Sequence, residues 1–297
     1  MVWISSMDVR RIRMKLNRLT EDLRSLCSSR PLDEKRLLAP SLRAGRQWLD
    51  AVTRSGTAVL NVWVMTVAGM ALELAAPEME RLGLSFASGL RLELILEDLL
   101  ARERATTGYL GRLEASRGLA RMMAASIHDL RMAGISAGDL APSRFEVPEK
   151  GEELSSLLAA YEERLNSLRL ADLPAALRMA ERRLRERPDA LPPTCLLLLP
   201  SDLLERAGAL ERALLEAIPA ERKVLLACDR PREARVDDPT DAALLAWVSR
   251  PAEAPMPAGD GSVDLFRAEG EANEVREVLR RCAACGIPFV EVEILYT

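Results

Sequence analysis

Hydrophobic and polar positions follow two rhythms along the chain, one of three to four residues and one of short continuous apolar runs. From Val9 to Leu26, the residues Val9, Ile12, Leu16, Leu19, Leu23 and Leu26 recur every three or four positions, which predicts an amphipathic helix. After the turn-like Ser28-Ser29-Arg30-Pro31, the run Arg36 to Ser41 predicts a short buried strand, followed by a helix through Trp48, Leu49 and Val52. A second unit repeats the pattern: Val59 to Met65 is rich in β-branched residues and predicts a strand, and Thr66 is placed to cap a helix through Met70 and Leu74. Consecutive β-α units favour a parallel sheet covered by helices.

From Ser85 to Arg187 the rhythm is helical throughout, with stripes such as Leu92, Ile95, Leu96, Leu99 and Leu154, Leu157, Leu158, Tyr161, Leu165, and no strand is predicted there. Gly and Pro break it at Gly134–Gly138, Ala141–Ser143 and Val147–Gly151. Strand chemistry returns in Thr194 to Leu199, then a helix through Leu203, Leu210, Leu214 and Leu215, then the apolar run Val224 to Cys228. Pro251 to Gly261 has linker composition and marks a boundary. Val263 to Phe266, a helix over Glu271–Ala284 and Val292 to Tyr296 form one further β-α-β unit, and an end on a strand leads us to expect a fragment of a longer protein.

Composition narrows the function classes. The 297 residues are 48% hydrophobic and 29% charged, the profile of a globular chain long enough for two domains. Its 41 Lys+Arg against 45 Asp+Glu give a net charge of -4, so any nucleic-acid contact must be local. One such place is the N-terminal segment, where Arg10, Arg11, Arg13, Lys15, Arg18, Arg24 and Arg30 outnumber Asp8, Glu21 and Asp22, as a solvated face or as a phosphate or partner surface. The single histidine, His128, lies on a helical stretch and reads as a surface or capping residue, which leaves little room for a histidine-based nucleophilic site. Five cysteines, Cys27, Cys195, Cys228, Cys282 and Cys285, form no disulfide framework and suit a reducing, cytoplasmic setting. The most apolar stretch, Ala58 to Ala76, contains Asn61, Thr66 and Glu73, so no membrane span is expected. None of the four lysines, Lys15, Lys35, Lys150 and Lys223, stands in a GxxxxGK(S/T) loop, so no bound nucleotide cofactor and no ATP hydrolysis by the P-loop route are expected.

The order of these elements resembles superfamily 1 helicases of the UvrD/RecB type, in which a helical subdomain interrupts the first RecA-like domain. The segment Leu37 to Arg46 resembles helicase motif Ia, and Val62 to Leu72 resembles the following strand-Thr-helix motif; in the family both line the single-stranded DNA track. Pro200, Ser201 and Asp202 fall where the family places its magnesium-binding and water-activating Asp-Glu pair, so this position is degenerate. The run Glu271 to Thr297 resembles the entry to the second RecA-like domain. Within that group the chain most resembles the helicase-like half of AddB-type helicase-nuclease subunits and RecB-family exonucleases, which precedes a PD-(D/E)xK nuclease.

The resemblance implies an α/β fold: a RecA-like, P-loop NTPase-like parallel sheet with an all-helical insertion and the start of a second RecA-like domain. Its divisions are 1–84 for the first part of domain 1A, 85–190 for the insertion, 191–262 for the second part and linker, and 263–297 for the truncated second domain. It also implies DNA repair, with single-stranded DNA or duplex ends as partner, a possible helicase motor subunit, a nuclease beyond Thr297 and no catalysis by this chain itself. Arg43, Arg46 and Thr66 are the chosen DNA-backbone positions, because helix N-termini supply amide donors and arginines supply charge, although solvated arginines are abundant and only 4 Trp, 3 Tyr and 4 Phe are present for stacking. Two alternatives come from other classes. One is a protein interaction module built on the helical block with no direct DNA contact, and the other is a nuclease using Asp202, Glu221 and Lys223, with Asp33-Glu34-Lys35 as a second formal match. Cys282-Ala283-Ala284-Cys285 has CxxC spacing but sits at a helix C-terminus, where the dipole does not favour a thiolate.

Overall fold

The computed structural model describes residues 2–4, 18–103, 108–109, 112–113, 116–192, 194–228, 241, 244, 251–261, 263–289 and 292. In chain order the regular elements are β1 (Val2–Ile4), α1 (Arg18–Ser29), β2 (Lys35–Leu38), α2 (Leu42–Arg54), β3 (Val62–Met65), α3 (Val67–Leu82), β4 (Ser85–Phe86), α4 (Leu90–Glu103) and α5 (Arg117–Met132). They continue as α6 (Pro148–Ser167), β5 (Leu170–Ala171), α7 (Leu173–Glu186), β6 (Leu196–Pro200), α8 (Ser201–Arg206), α9 (Ala209–Glu216), β7 (Lys223–Leu226), β8 (Val263–Leu265) and α10 (Glu271–Ala284). The chain divides into two compact units, Leu16–Cys228 and Met1–Lys15 with Asp229–Thr297.

The larger unit is an α/β fold built on a four-stranded parallel sheet in the order β3-β2-β6-β7. All five residues of β6 are buried, which fits a strand whose apolar run has no alternation because both faces are covered. On one face Leu37, Leu196, Leu198 and Leu226 meet Leu19 and Leu23 of α1 and Val52 of α2. On the other, Leu38, Leu197 and Leu199 meet Val67, Met70 and Leu74 of α3, Leu177 and Leu184 of α7, and Leu214 and Leu215 of α9. Gly45 of α2 lies where a Cβ would come within 2.3 Å of Val64 Cγ1, so this crossing of helix and strand requires glycine.

A third core joins α4, α5 and α6 through Leu96, Leu99, Ile127, Leu157, Leu158 and Tyr161. The expectation of no strand between Ser85 and Arg187 is corrected: β4 and β5 pair in parallel, with Ser85 N–H donating to the Arg169 carbonyl and Ala87 N–H to that of Ala171, both at 2.9 Å. Two-residue strands leave no periodicity to read. Their pairing brings the chain out of the α4–α6 group beside the point where it entered. α7, although it lies within 85–190, packs on α3 and the sheet.

Arg131 of α5 ties this group to the sheet layer. Its guanidinium donates through Nε (2.8 Å) and Nη2 (3.0 Å) to Asp172, the N-cap of α7, and also pairs with Glu162 of α6. The Asp172 side chain is only 3% exposed and also accepts from the Ala175 N–H at 3.1 Å. The single helix expected through Leu203 to Leu215 is two, because the chain breaks at Ala207-Gly208 and Glu211 accepts from the Gly208 N–H at 3.2 Å to start α9.

The smaller unit pairs β1 with β8 antiparallel, followed by α10 at the residues expected. The strand expected over Val292–Tyr296 lies almost wholly outside the described residues, as does the amphipathic pattern before Arg18. Among the described residues no helix is long and apolar enough to cross a membrane.

Two stability effects follow. Gly45→Ala forces Val64 or the helix to move and is expected to cost about 1–3 kcal/mol in urea unfolding. Arg131→Ala leaves Asp172 buried without its cation and is expected to cost about 3 kcal/mol, whereas Arg81→Ala, at an ion pair with a largely exposed arginine, is expected to stay within about 1 kcal/mol.

Candidate functional site

Because β2, β3, β6 and β7 are parallel, their carboxyl ends share one edge of the sheet, the edge where ligands of open α/β sheets bind. The chain leaves β2 through Ala39-Pro40-Ser41 into α2 and leaves β3 through Thr66 into α3. Each helix start is capped by the hydroxyl that local chemistry favours: Ser41 Oγ accepts from the Ala44 N–H at 3.1 Å, and Thr66 Oγ1 from the Gly69 N–H at 3.0 Å. Ala39 N–H donates to the Met65 carbonyl at 2.9 Å and holds the two exits side by side.

Neither first turn carries an acidic residue. Arg43 and Arg46 instead lie in the first two turns of α2, three residues apart and exposed, and neither has a carboxylate partner among the described residues. A cation near a helix N-terminus opposes the macrodipole by about 0.3–1 kcal/mol. The arrangement therefore works against stability unless an anion sits there. Thr66, half-buried, spends its oxygen on the cap and keeps its O–H to donate.

The residues at the degenerate acidic position are also brought to this edge. Pro200 ends β6 and is buried; Ser201 Oγ accepts from the Cys228 N–H at 3.2 Å, and Asp202 Oδ1 accepts from the Cys228 thiol at 3.1 Å. Asp202 thus anchors the chain leaving β7. Among the described residues no group of three His, Cys, Asp or Glu is placed to hold a metal ion.

The alternative nuclease constellation is not assembled. Pro200 pairs with Leu226, so Asp202 follows the carboxyl end of β6, while Glu221 and Lys223 stand at the amino end of β7. At ~3.3 Å per residue that separation is roughly 15 Å, too far for a shared metal. In the second formal match, Lys35 is fully buried at the start of β2, and its Nζ donates to the carbonyls of Arg30 and Asp33, both at 2.6 Å. That ammonium closes the turn between α1 and the sheet. His128 is exposed on α5, remote in sequence and element from this edge.

Sequence reasoning missed Trp63. It sits on the edge strand β3, opposite Arg36 of β2, and is 67% exposed. An apolar strand reads as core, and only the strand order shows that β3 has one neighbour. Trp63 offers a flat aromatic surface beside a basic residue.

The cysteines behave as side chains of a core. Burial, reinforced by Glu34, pushes the Cys195 thiol up to about 11, and burial also raises Cys27 and Cys228. Cys282 is buried on α10 while Cys285 is exposed at its C-cap.

No family model matches the chain, and no curated protein matches it. The class of protein is therefore set by the fold alone: a parallel α/β protein with helices on both sheet faces and a helical group between β4 and β5.

Thiol labelling at pH 8 checks the placement of these groups. Cys285 is expected to react first, and Cys27, Cys195 and Cys282 only on unfolding. Asp202→Asn removes a negative charge beside the Cys228 thiol, lowers its pKa and is expected to speed its labelling several-fold by mass spectrometry.

Proposed function

We propose that the chain is the degenerate RecA-like region of a helicase-nuclease of the AddB/RecB type, which binds DNA without turning over ATP. The observation that carries this reading is the carboxyl edge of the parallel sheet. There two capped helix N-termini lie side by side, with the Thr66 hydroxyl on one and Arg43 and Arg46, which have no carboxylate partner among the described residues, on the other. Amide dipoles and guanidinium groups on one edge make a surface for phosphodiesters. The strand order also agrees with the resemblance, because β2 and β3, which resemble the DNA-track motifs, lie together on one side of β6, which carries the acidic-pair position.

At that position Pro200 and Ser201 stand in place of carboxylates, and Asp202 is engaged by Cys228. The phosphate-cradling loop is missing from the sequence as well. In this reading the chain holds single-stranded DNA or duplex ends in the cytoplasm during double-strand break repair, beside a motor subunit, and presents a strand to a nuclease of the PD-(D/E)xK type. The helical group between β4 and β5 is the insertion, and α10 opens a second RecA-like domain.

A second reading has its own support. Leu90 and Leu94, one turn apart on α4, are 68% and 54% exposed, and Met122 of α5 is 66% exposed. These residues favour a helical docking module that makes no direct DNA contact.

Fluorescence anisotropy with single-stranded, duplex and forked DNA across a salt series separates the two. The DNA reading expects affinity that falls steeply with salt, and an Arg43→Ala/Arg46→Ala variant whose log–log salt slope on single-stranded DNA is shallower by roughly 1.4. Absence of binding at the lowest salt, or a slope unchanged in the variant, overturns it in favour of the docking module.

A further inference from the structure

The smaller unit carries a charged feature that the sheet edge does not use. Along α10, Asn273, Arg276, Glu277, Arg280 and Arg281 recur at the three-and-four spacing of one helix face, whereas Val278 and Cys282 are the residues it buries. That polar stripe and the stretch Phe266-Arg267-Ala268, which follows β8, line an open depression of about 310 Å3.

The charges in it do not balance. Glu277 is the one carboxylate among the lining residues and is set against Arg280 and Arg281, which leaves Arg267 and Arg276 facing the depression without a carboxylate partner among the described residues. Glu277 is already engaged: Arg280 donates to both its oxygens, Nε at 2.7 Å and Nη2 at 2.6 Å, and Arg281 Nε donates to one of them at 2.8 Å. The Arg281 guanidinium also lies 4.4 Å from the centroid of the Phe266 ring, a cation–π contact that fixes its plane. Arg276 has only the neutral Asn273 Oδ1, at 3.1 Å, and Arg267 has no hydrogen-bond or ion-pair partner among the described residues.

Guanidinium groups gathered around one depression attract an anion. The anion that matches several forks at once is a phosphate, with its oxygens arranged for bidentate donors and more charge than a carboxylate. The volume lies near the lower end of small-ligand sites, suited to a single phosphate-bearing group.

We propose that this depression is a phosphate-binding site in which Arg267 and Arg276 hold the phosphate oxygens, while Glu277 and Phe266 fix Arg280 and Arg281 at its wall. The phosphate belongs to a free nucleotide or to a nucleic-acid strand. The site shares no residue with the sheet edge and stands whether or not DNA binds there.

The test is isothermal titration calorimetry of the full chain at low salt with inorganic pyrophosphate, thymidine monophosphate and an oligothymidylate. Three proteins are compared: Arg43→Ala/Arg46→Ala, which takes the sheet edge out of the measurement, the same variant with Arg267→Ala/Arg276→Ala added, and the same variant with Arg81→Ala added as the control. Arg267 and Arg276 are exposed and have no carboxylate partner among the described residues, so their variant is expected to keep the far-UV circular dichroism and Tm of its parent. Pyrophosphate binding is expected to weaken by about tenfold or more when Arg267→Ala/Arg276→Ala is added and by less than about twofold when Arg81→Ala is added. Displacement of pyrophosphate by the oligothymidylate but not by the mononucleotide assigns the phosphate to a strand, and the reverse assigns it to a free nucleotide. No pyrophosphate binding at low salt, or binding that survives Arg267→Ala/Arg276→Ala, overturns the site.

Discussion

The larger unit depends on the burial of β6 on both faces. A strand with leucine at four successive positions has no polar face to give to water, so helices must cover it from two sides. α1 and α2 supply one layer and α3, α7 and α9 the other. Each fully buried leucine stabilises the fold by about 1.5–3 kcal/mol, and those on β6 draw on both layers at once. The parallel pairing of β6 with β2 and β7 follows, because antiparallel neighbours joined by short turns would leave no helix to lie across the faces.

From that one requirement the candidate site is inherited. Parallel strands end together, and each exit must turn immediately into a covering helix, so caps gather at one edge without any selection for binding. What binding chemistry adds is visible only as departures from what stability favours. Ser41 and Thr66 satisfy amides at the starts of α2 and α3 and lower the cost of the turn. Arg43 does the opposite, since a cation in that first turn meets the positive end of the dipole. Asp202, at the neighbouring exit, is spent on the Cys228 thiol and restrains the chain.

The strands β3 and β6 were legible because each is a continuous apolar run, β2 and β7 because apolar residues follow their leading Lys35-Arg36 and Lys223, and α10 because its start and stop signals are both present. Other features depend on partners distant in sequence, which periodicity does not report. β4 and β5 exist only through each other, at positions 85 and 170. Lys35 looks like a surface charge beside Asp33 and Glu34, yet it is buried by the carbonyls that close α1. Trp63 looks like core and is exposed because β3 is an edge. For the site, the Thr66 cap and the arginines were readable from local spacing, whereas Ser41, expected to end a strand, caps α2, and the tie between Asp202 and Cys228 spans 26 residues and required the register of β6 against β7.

The described arginines differ in what surrounds them, and the difference shows what each does for the fold. Arg36 and Arg131 sit among carboxylates that neutralise them: Arg36 with Glu34 and Glu73, and Arg131 with Asp172 and Glu162. Such groups hold elements together, and the field outside them is small. In a chain whose net charge is -4 there is no shortage of acidic residues to complete the same pattern everywhere. Arg43 and Arg46 on α2, Arg267 and Arg276 in the smaller unit, and solvated arginines such as Arg24, Arg54 and Arg121 have no carboxylate partner among the described residues. Solvation alone explains a scattered arginine. Arg43 and Arg46 are set apart from these by standing in the first two turns of α2 at the edge where four strands end, and Arg267 and Arg276 by lining a depression with two further guanidinium groups. In the proposals above these two places, rather than the neutralised Arg36 and Arg131, are the ones that an anion would join.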